Sequence, residues 1–142
     1  MSQDLAERLD LQGSIVPLVL KTFGSKPELK QAMEVKARIY DYQGRDLGVV
    51  EAKVVPRFAQ VKAVDWSEGA LHFEHLKGID IPPPLLDGQC DLLLGNNCAR
   101  LIAPTHSKVA NENNIPIAHL TKLGWSIAGP TKLPSRLSLI HI

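Results

Sequence analysis

The chain has 142 residues, 44% of them hydrophobic, and a mean hydropathy of −0.03. This length and balance are typical of one globular domain with a single core. Lys and Arg number 16 against 15 Asp and Glu, so no broad electrostatic field would steer nucleic acid or an anionic membrane towards the protein. Binding to nucleic acid or to a membrane is therefore disfavoured.

The targeting and cysteine signals favour a cytoplasmic protein. The N-terminal residues are charged and lack the apolar stretch of a secretory signal. No apolar run in the sequence approaches membrane-spanning length. The two cysteines, Cys90 and Cys98, form neither a disulfide framework nor a zinc-ligand pattern, which suits a reducing compartment.

The first predicted elements in chain order are a short helix and a strand. Ser2 can cap a helix that runs to Leu9 or Leu11. The segment 15–20 is apolar and β-branched, which predicts a strand. Because Pro17 cannot donate to a ladder, this strand is predicted to be bulged or to lie at the edge of a sheet.

A turn-forming stretch, residues 22–27, leads to the strongest strand pattern of the chain. The turn is predicted as a hairpin loop whose Phe23 folds back onto the core. Apolar and polar residues alternate over residues 32–42, and the same alternation returns over residues 49–55. The two segments are therefore predicted to pair as an antiparallel hairpin with one solvated face.

The second half of the chain contains further strand signals. The three leucines at 92–94 lie between Gly88 and the turn at 95–97, which predicts a fully buried central strand. Two more strands are predicted at 115–121 and 123–130. Many short strands and little helix predict an all-β barrel or sandwich with one short N-terminal helix.

Five short stretches carry a family signal through their order and rough spacing: SQDLAERL at 2–9, TFG at 22–24, HLKGI at 75–79, DLLLGNNC at 91–98 and LGWSIAGP at 123–130. Together they resemble the aspartic peptidase domain of BEL/Pao-type retrotransposon polyproteins, a retropepsin-like family. The resemblance implies an acid-protease β barrel that works as a homodimer on peptide or polyprotein substrates, with no cofactor and no metal. It covers residues 1–130 as a partial domain and leaves 131–142 as an irregular tail.

The catalytic motif of that family is missing from the sequence. In the family, two apolar residues, Asp, Ser or Thr, and Gly lie a few residues before the helix that here begins at Ser2. Two such aspartates, one from each subunit, share a proton, so that one acts as base on a water and the other as acid on the scissile amide. The resemblance therefore implies an N-terminally truncated domain that has no catalytic residue and is inactive as written.

The resemblance also assigns a substrate-binding segment. Phe23, Gly24 and Ser25 correspond to the flap that closes over a bound peptide, where glycine allows the hinge and the backbone binds the substrate. An ordinary loop is the alternative. The stretch LLDGQ at 85–89 resembles the catalytic motif with its Ser or Thr deleted, but it directly precedes the central strand, so Asp87 is predicted to be a turn residue.

The sequence also suggests three other kinds of site. A non-catalytic β domain could bind an extended peptide along an exposed sheet edge. A zinc site could be drawn from His72, His75, Cys90 and Cys98, but the spacing does not match a zinc motif. Cys98 could act as a nucleophile beside His75 or His119, although nothing in the sequence activates the thiol.

Overall fold

The computed structural model describes residues 1–58, 64–82 and 90–130. Their strands form two three-stranded antiparallel sheets, β1-β2-β3 and β4-β5-β6. Single 3₁₀ turns at Ala70–His72, Glu74–Leu76 and Asn96–Cys98 complete the regular structure. In chain order the helices and strands are α1 (Gln3–Arg8), β1 (Gly13–Leu20), β2 (Glu28–Tyr40), β3 (Asp46–Lys53), α2 (Trp66–Gly69), α3 (Ala99–Ile102), β4 (His106–Lys108), β5 (Ile117–Thr121) and β6 (Gly124–Ala128).

Helix α1 begins where the sequence predicts. The Ser2 hydroxyl accepts a hydrogen bond from the Leu5 N–H at 3.2 Å, which satisfies one of the free donors of the first turn. Asp4 in the first turn and Arg8 in the last complement the helix dipole. The helix buries Ala6 against the first sheet, so it covers part of that sheet's core.

The first sheet is built around the long strand β2. β1 pairs with it over Gly13–Leu20 and β3 pairs on its other side, both antiparallel. β1 is thus an edge strand, as Pro17 predicts. Apolar residues that alternate along β2 and β3 face one core, whose buried members are Met1, Ala6, Val35, Ala37, Val50, Cys98 and Leu101.

The second sheet has a core of its own. β5 and β6 agree with the predicted strands, whereas the short polar strand β4 was not predicted from the sequence. The buried members of this second core are Ala70, Phe73, Leu76 and Ala118, and both tryptophans, Trp66 and Trp125, pack against it. Leu123, in the turn between β5 and β6, packs against the first core instead, so the second sheet contacts the first core through this turn.

The prediction of a fully buried central strand at 92–94 is wrong. Leu92 and Leu94 pack against the first core, but 71% of the Leu93 surface is exposed. The segment belongs to neither of the sheets formed by the described residues. Its alternating burial is that of an extended chain covered on one face only. Apolar composition alone cannot distinguish one covered face from two.

The structure is thus β-rich with a few short helices, and α1 is the predicted N-terminal one. Among residues 1–58, 64–82 and 90–130, no ladder joins the two sheets into one. Asp87 and the tail at 131–142 lie outside the described residues. No helix in the described part of the chain is long and apolar enough to cross a membrane.

Candidate functional site

The tip of the β1–β2 hairpin contains the three residues predicted to bind substrate. A tight turn closes it: the Ser25 N–H donates to the Thr22 carbonyl at 3.1 Å, and the two hydroxyls lie 2.6 Å apart. Gly24 has a φ of +78°, a conformation that side chains with a Cβ adopt at a cost. The sequence Thr-Phe-Gly-Ser therefore encodes a defined turn.

Phe23 is fully exposed at this tip, with a relative accessibility of 109%. The prediction that its ring folds back onto the core is wrong. The reason is the length of the hairpin: β1 and β2 remain paired out to Leu20 and Glu28, which carries the tip beyond the residues that form the core. Ile15, Val19 and Leu29 are also exposed along the hairpin. The hairpin thus presents an apolar surface to solvent.

A second feature is the outer edge of β3, which faces away from β2. The Val54 N–H donates to the Met33 carbonyl of the inner neighbour at 2.8 Å. The Lys53 carbonyl accepts the Met1 ammonium at 2.9 Å on the other side. Since adjacent residues of an antiparallel strand direct their backbone groups to opposite edges, Glu51 and Lys53 both face outward.

The N-terminal residues already lie against this edge as a strand would. The Val55 N–H donates to the Met1 carbonyl at 3.0 Å, and the Gln3 N–H donates to the Val55 carbonyl at 2.9 Å. This pairing is parallel, with Ser2 opposite Val55. On its far side the Ser2 N–H donates to the Asp91 carbonyl at 2.8 Å. Three backbones therefore lie side by side, with Met1–Ser2 in the middle.

Between β3 and residues 92–95 lies a groove of about 400 Å³, which we call the strand groove. Five of the apolar side chains that line it belong to the first core or pack against it, and the sixth, Leu93, is exposed. The five are Val50, Ala52, Leu92, Leu94 and Cys98. Two ion pairs lie on the β2–β3 surface beside it, Lys36–Glu51 at 3.5 Å and Lys53–Glu34 at 3.4 Å. The groove thus has an apolar floor and a charged rim.

Polar contacts hold the second wall of the groove to α1. The Asp91 carboxylate accepts the Ser2 hydroxyl at 2.8 Å and the Arg8 guanidinium at 2.9 Å. Arg8 also pairs with Asp4 at 3.0 Å. Because Ser2 also caps α1, the helix, residues 1–2 and residue 91 are fixed relative to one another.

Burial lowers the pKa of the Met1 amino group from its ordinary value of 8.0, and the electrostatic interaction with Cys90 offsets this in part. At the opposite end of the groove, the Asn97 amide donates to the Glu51 carbonyl at 3.2 Å. Two outward carbonyls of β3 therefore already accept hydrogen bonds, that of Lys53 from the Met1 ammonium and that of Glu51 from the Asn97 side chain.

The alternative sites gain no support from the geometry. Within the described ranges, no three His, Cys, Asp or Glu side chains come close enough to hold a metal ion. His75 Nε2 lies 2.7 Å from the Pro116 carbonyl, and Cys98 is buried in the first core. Sequence reasoning missed a Ser107–His119 pair, with Oγ 2.8 Å from Nδ1, because cross-strand register creates it.

Sequence reasoning also missed the strand groove, although it singled out the segment that forms one wall. Two sequence features could have located the groove: the run of three leucines before a Gly-Asn-Asn turn, and the cap residue Ser2. The leucines line the groove and Ser2 bonds to the adjacent Asp91, yet the two features are about ninety positions apart in sequence. Only the fold brings them together.

Comparison with known proteins identifies no relative. The chain matches no protein-family model, no curated protein and no solved structure.

Proposed function

We propose that the chain is the scaffold and flap of a retropepsin-like aspartic peptidase domain, of the kind that processes BEL/Pao-type retrotransposon polyproteins. The proposal includes a barrel closed by a further strand, a homodimer in the active form, and a peptide or polyprotein as substrate. The two free cysteines favour a reducing compartment, the cytoplasm, as its location.

One observation carries the proposal: Asp91, directly before the leucine run, lies beside the Ser2 backbone and accepts its N–H at 2.8 Å, and residues 92–95 continue from there along the strand groove. In the family, the corresponding leucine-rich segment packs beneath the catalytic loop, which precedes the helix that here begins after Ser2. A strand that continued backwards from Met1 would run along this segment in the strand groove. The arrangement therefore supports a role for residues 92–95 as the support of a catalytic loop.

The chemistry would come from an aspartate on that inserted strand. Two such carboxylates, one from each subunit, cannot both ionise at close range, so they share one proton. The ionised partner then takes a proton from water, and the protonated partner gives one to the leaving amine. The sequence contains no Asp-Ser-Gly or Asp-Thr-Gly triplet. We therefore expect the 142 residues alone to be inactive.

The hairpin tip supplies the second half of the proposal. Phe23, Gly24 and Ser25 project on a two-stranded arm, and Phe23 is exposed. An arm of this kind can close over an extended peptide, bonding to it through the backbone of the tip. The exposed ring would then be buried against substrate or against a second subunit.

The proposal is tested by supplying the missing strand. The chain is expressed with N-terminal extensions in which the sequence Leu-Leu-Asp-Ser-Gly precedes Met1 by a stepped series of short spacers. The matched control carries Asn in place of the aspartate in each extension. Cleavage of a mixed peptide library at acidic pH is measured with and without pepstatin.

Pepstatin-sensitive cleavage by at least one Asp extension, absent from its Asn control and from the 142-residue chain, is the expected result. Phe23→Ala in that active extension should then lower kcat/KM without changing the melting temperature. Cleavage by the 142-residue chain or by the Asn controls would contradict the proposal. So would a complete series of folded, inactive Asp extensions.

A further inference from the structure

We infer that the cavity between the β2–β3 turn and the β5–β6 turn binds a free α-amino acid with an aromatic side chain. The cavity, which we call the turn pocket, has a volume of about 210 Å³ and is lined from residues 41–45, 80–82 and 120–125. Its lining shares no residue with the strand groove or with the hairpin tip at 22–25. The inference is therefore separate from the peptidase proposal and holds whether or not that proposal does.

The first wall of the turn pocket holds Arg45 in a fixed orientation. The Asp41 side chain is only 4% exposed, and its carboxylate accepts the backbone N–H groups of Gln43 at 2.9 Å and Arg45 at 2.8 Å. The same carboxylate accepts the Arg45 Nε–H at 2.6 Å. No other acceptor among the described residues bonds to this guanidinium. Its terminal N–H groups therefore remain for a ligand carboxylate, whose planar geometry matches them.

The second wall is the β5–β6 turn, which its own hydrogen bonds and the first core hold in place. The Thr121 hydroxyl donates to the Gly124 carbonyl at 3.1 Å and accepts the Leu123 N–H at 3.2 Å. The Leu123 side chain packs against the first core. Lys122 lies at the tip of this turn and forms none of the ion pairs found among the described residues. Its ammonium is a second cation beside the pocket, supplied by the other sheet.

Apolar and aromatic side chains line much of the remaining surface of the turn pocket. Trp125 packs against the second core, and Leu120 lies directly opposite it in the β5–β6 ladder. Tyr42, in the first wall, is 63% exposed. Aromatic rings pack favourably against one another in offset or edge-to-face geometry. These surfaces therefore match a ligand with a flat apolar side chain.

The charges of the lining match a zwitterion. Arg45 and Lys122 offer donors to a carboxylate, whereas the exposed Asp80 carboxylate accepts from an ammonium. With Asp41 the lining contains two cations and two carboxylates, so a ligand of zero net charge complements it. Pockets for drug-sized ligands begin at about 300 Å³, so a cavity of about 210 Å³ suits a smaller molecule. An aromatic α-amino acid combines the carboxylate, the ammonium, the flat ring and the small size.

The test is a titration of the ¹⁵N-labelled 142-residue chain with L-phenylalanine, followed by NMR. A ligand of this size is expected to bind with a Kd of roughly 0.1–1 mM. Saturable shifts are expected for the backbone amides of Arg45, Lys122 and Gly124 and for the Trp125 indole N–H. The Phe23 amide, at the hairpin tip, is the internal control and should not shift. The absence of saturable shifts, or saturable shifts confined to other parts of the chain, would overturn the inference.

Two analogues of L-phenylalanine test the two charges of the ligand separately. L-phenylalaninamide lacks the carboxylate that Arg45 and Lys122 bind, and 3-phenylpropanoate lacks the ammonium that Asp80 binds. Because hydrogen bonds to charged groups contribute more than neutral ones, each analogue should bind at least about tenfold more weakly. L-phenylalaninamide bound as tightly as L-phenylalanine would refute the role of the two cations. Equally tight binding of 3-phenylpropanoate would refute recognition of a zwitterion.

Two variants assign the charges to residues. Lys122→Met removes the ammonium, and we expect it to lower the affinity for L-phenylalanine at least about threefold while leaving that for L-phenylalaninamide unchanged. Asp80→Asn should lower the affinity for L-phenylalanine and leave that for 3-phenylpropanoate unchanged. Lys26→Met, at an exposed lysine beside the hairpin tip, is the matched control and should bind as the unaltered chain does. Unchanged affinity of either pocket variant for L-phenylalanine, or an equal loss for both ligands of a pair, would overturn the assignment. Should a variant fail to fold, the analogue series decides the question on the unaltered protein.

Discussion

Replacement of Leu76 by alanine should be among the most damaging single changes in the second core. The side chain has a relative accessibility of 0% and packs with Ala70, Phe73 and Ala118. Truncating a fully buried leucine costs roughly 2–5 kcal/mol, the transfer term plus the cavity left behind. At about 2–4 °C per kcal/mol for a domain of this size, the melting temperature should fall by roughly 4–20 °C.

The assay is urea unfolding followed by two signals. Tryptophan fluorescence reports the second core, since Trp66 and Trp125 both pack against it. Far-UV circular dichroism reports mainly the longer strands of the first sheet. Because Leu123, in the β5–β6 turn of the second sheet, packs against the first core, we expect both signals to shift together to lower urea with unchanged slope. The matched control is Leu71→Ala, which removes the same atoms from a leucine that is 61% exposed and should cost less than about 0.5 kcal/mol.

Equal midpoints for Leu76→Ala and Leu71→Ala would refute the packing argument. A shift of the fluorescence transition without the dichroism transition would refute the coupling through Leu123 instead. In that case the two sheets would unfold as separate units.

Two further changes test the first sheet. In urea unfolding, Gly13→Ala should lower the free energy of unfolding more than Gly24→Ala does. A Cβ at position 13 would lie 1.9 Å from the Glu34 carbonyl oxygen. A Cβ at position 24 meets nothing within 4 Å, and the substitution there costs only about 1–2 kcal/mol because φ is positive. Two groups of Arg45 lower the pKa of Asp41 below its ordinary 3.8: the backbone N–H has the larger effect and the guanidinium the smaller. The Asp41 carboxylate therefore binds its proton more tightly in the unfolded chain than in the folded one. Its contribution to the free energy of unfolding is present above pH 3.8 and is lost as the pH falls through the pKa of Asp41 in the folded protein. Asp41→Asn should remove that acid-side slope in unfolding measured against pH, and an unchanged slope would contradict the assignment.

The two glycine variants also bear on the function. Gly24 lies in the hairpin tip and Gly13 at the base of the same hairpin. If Gly24→Ala alters the turn at the tip and the protein still folds, a change in kcat/KM reports the role of the turn in substrate binding, apart from its role in stability. The measurement is the kcat/KM of an active N-terminally extended protein.

Local patterns were sufficient to predict most of the first sheet and part of the second. Period-two alternation is a property of the chain itself, so β2 and β3 follow from the order of their residues. The same holds for the cap at Ser2 and for the edge position of β1, because both depend on what one side chain or one missing N–H can do.

Tertiary structure alone decided the exposure of Phe23 and the partial burial of residues 92–94. Both depend on how far the neighbouring elements extend, which no local window contains. The strand groove is the same kind of feature: its walls come from β3 and from residues about forty positions later, with Met1 at one end. The hydrophobic effect is non-directional. Composition therefore predicts that a leucine is buried, but only the tertiary packing determines which residues cover it.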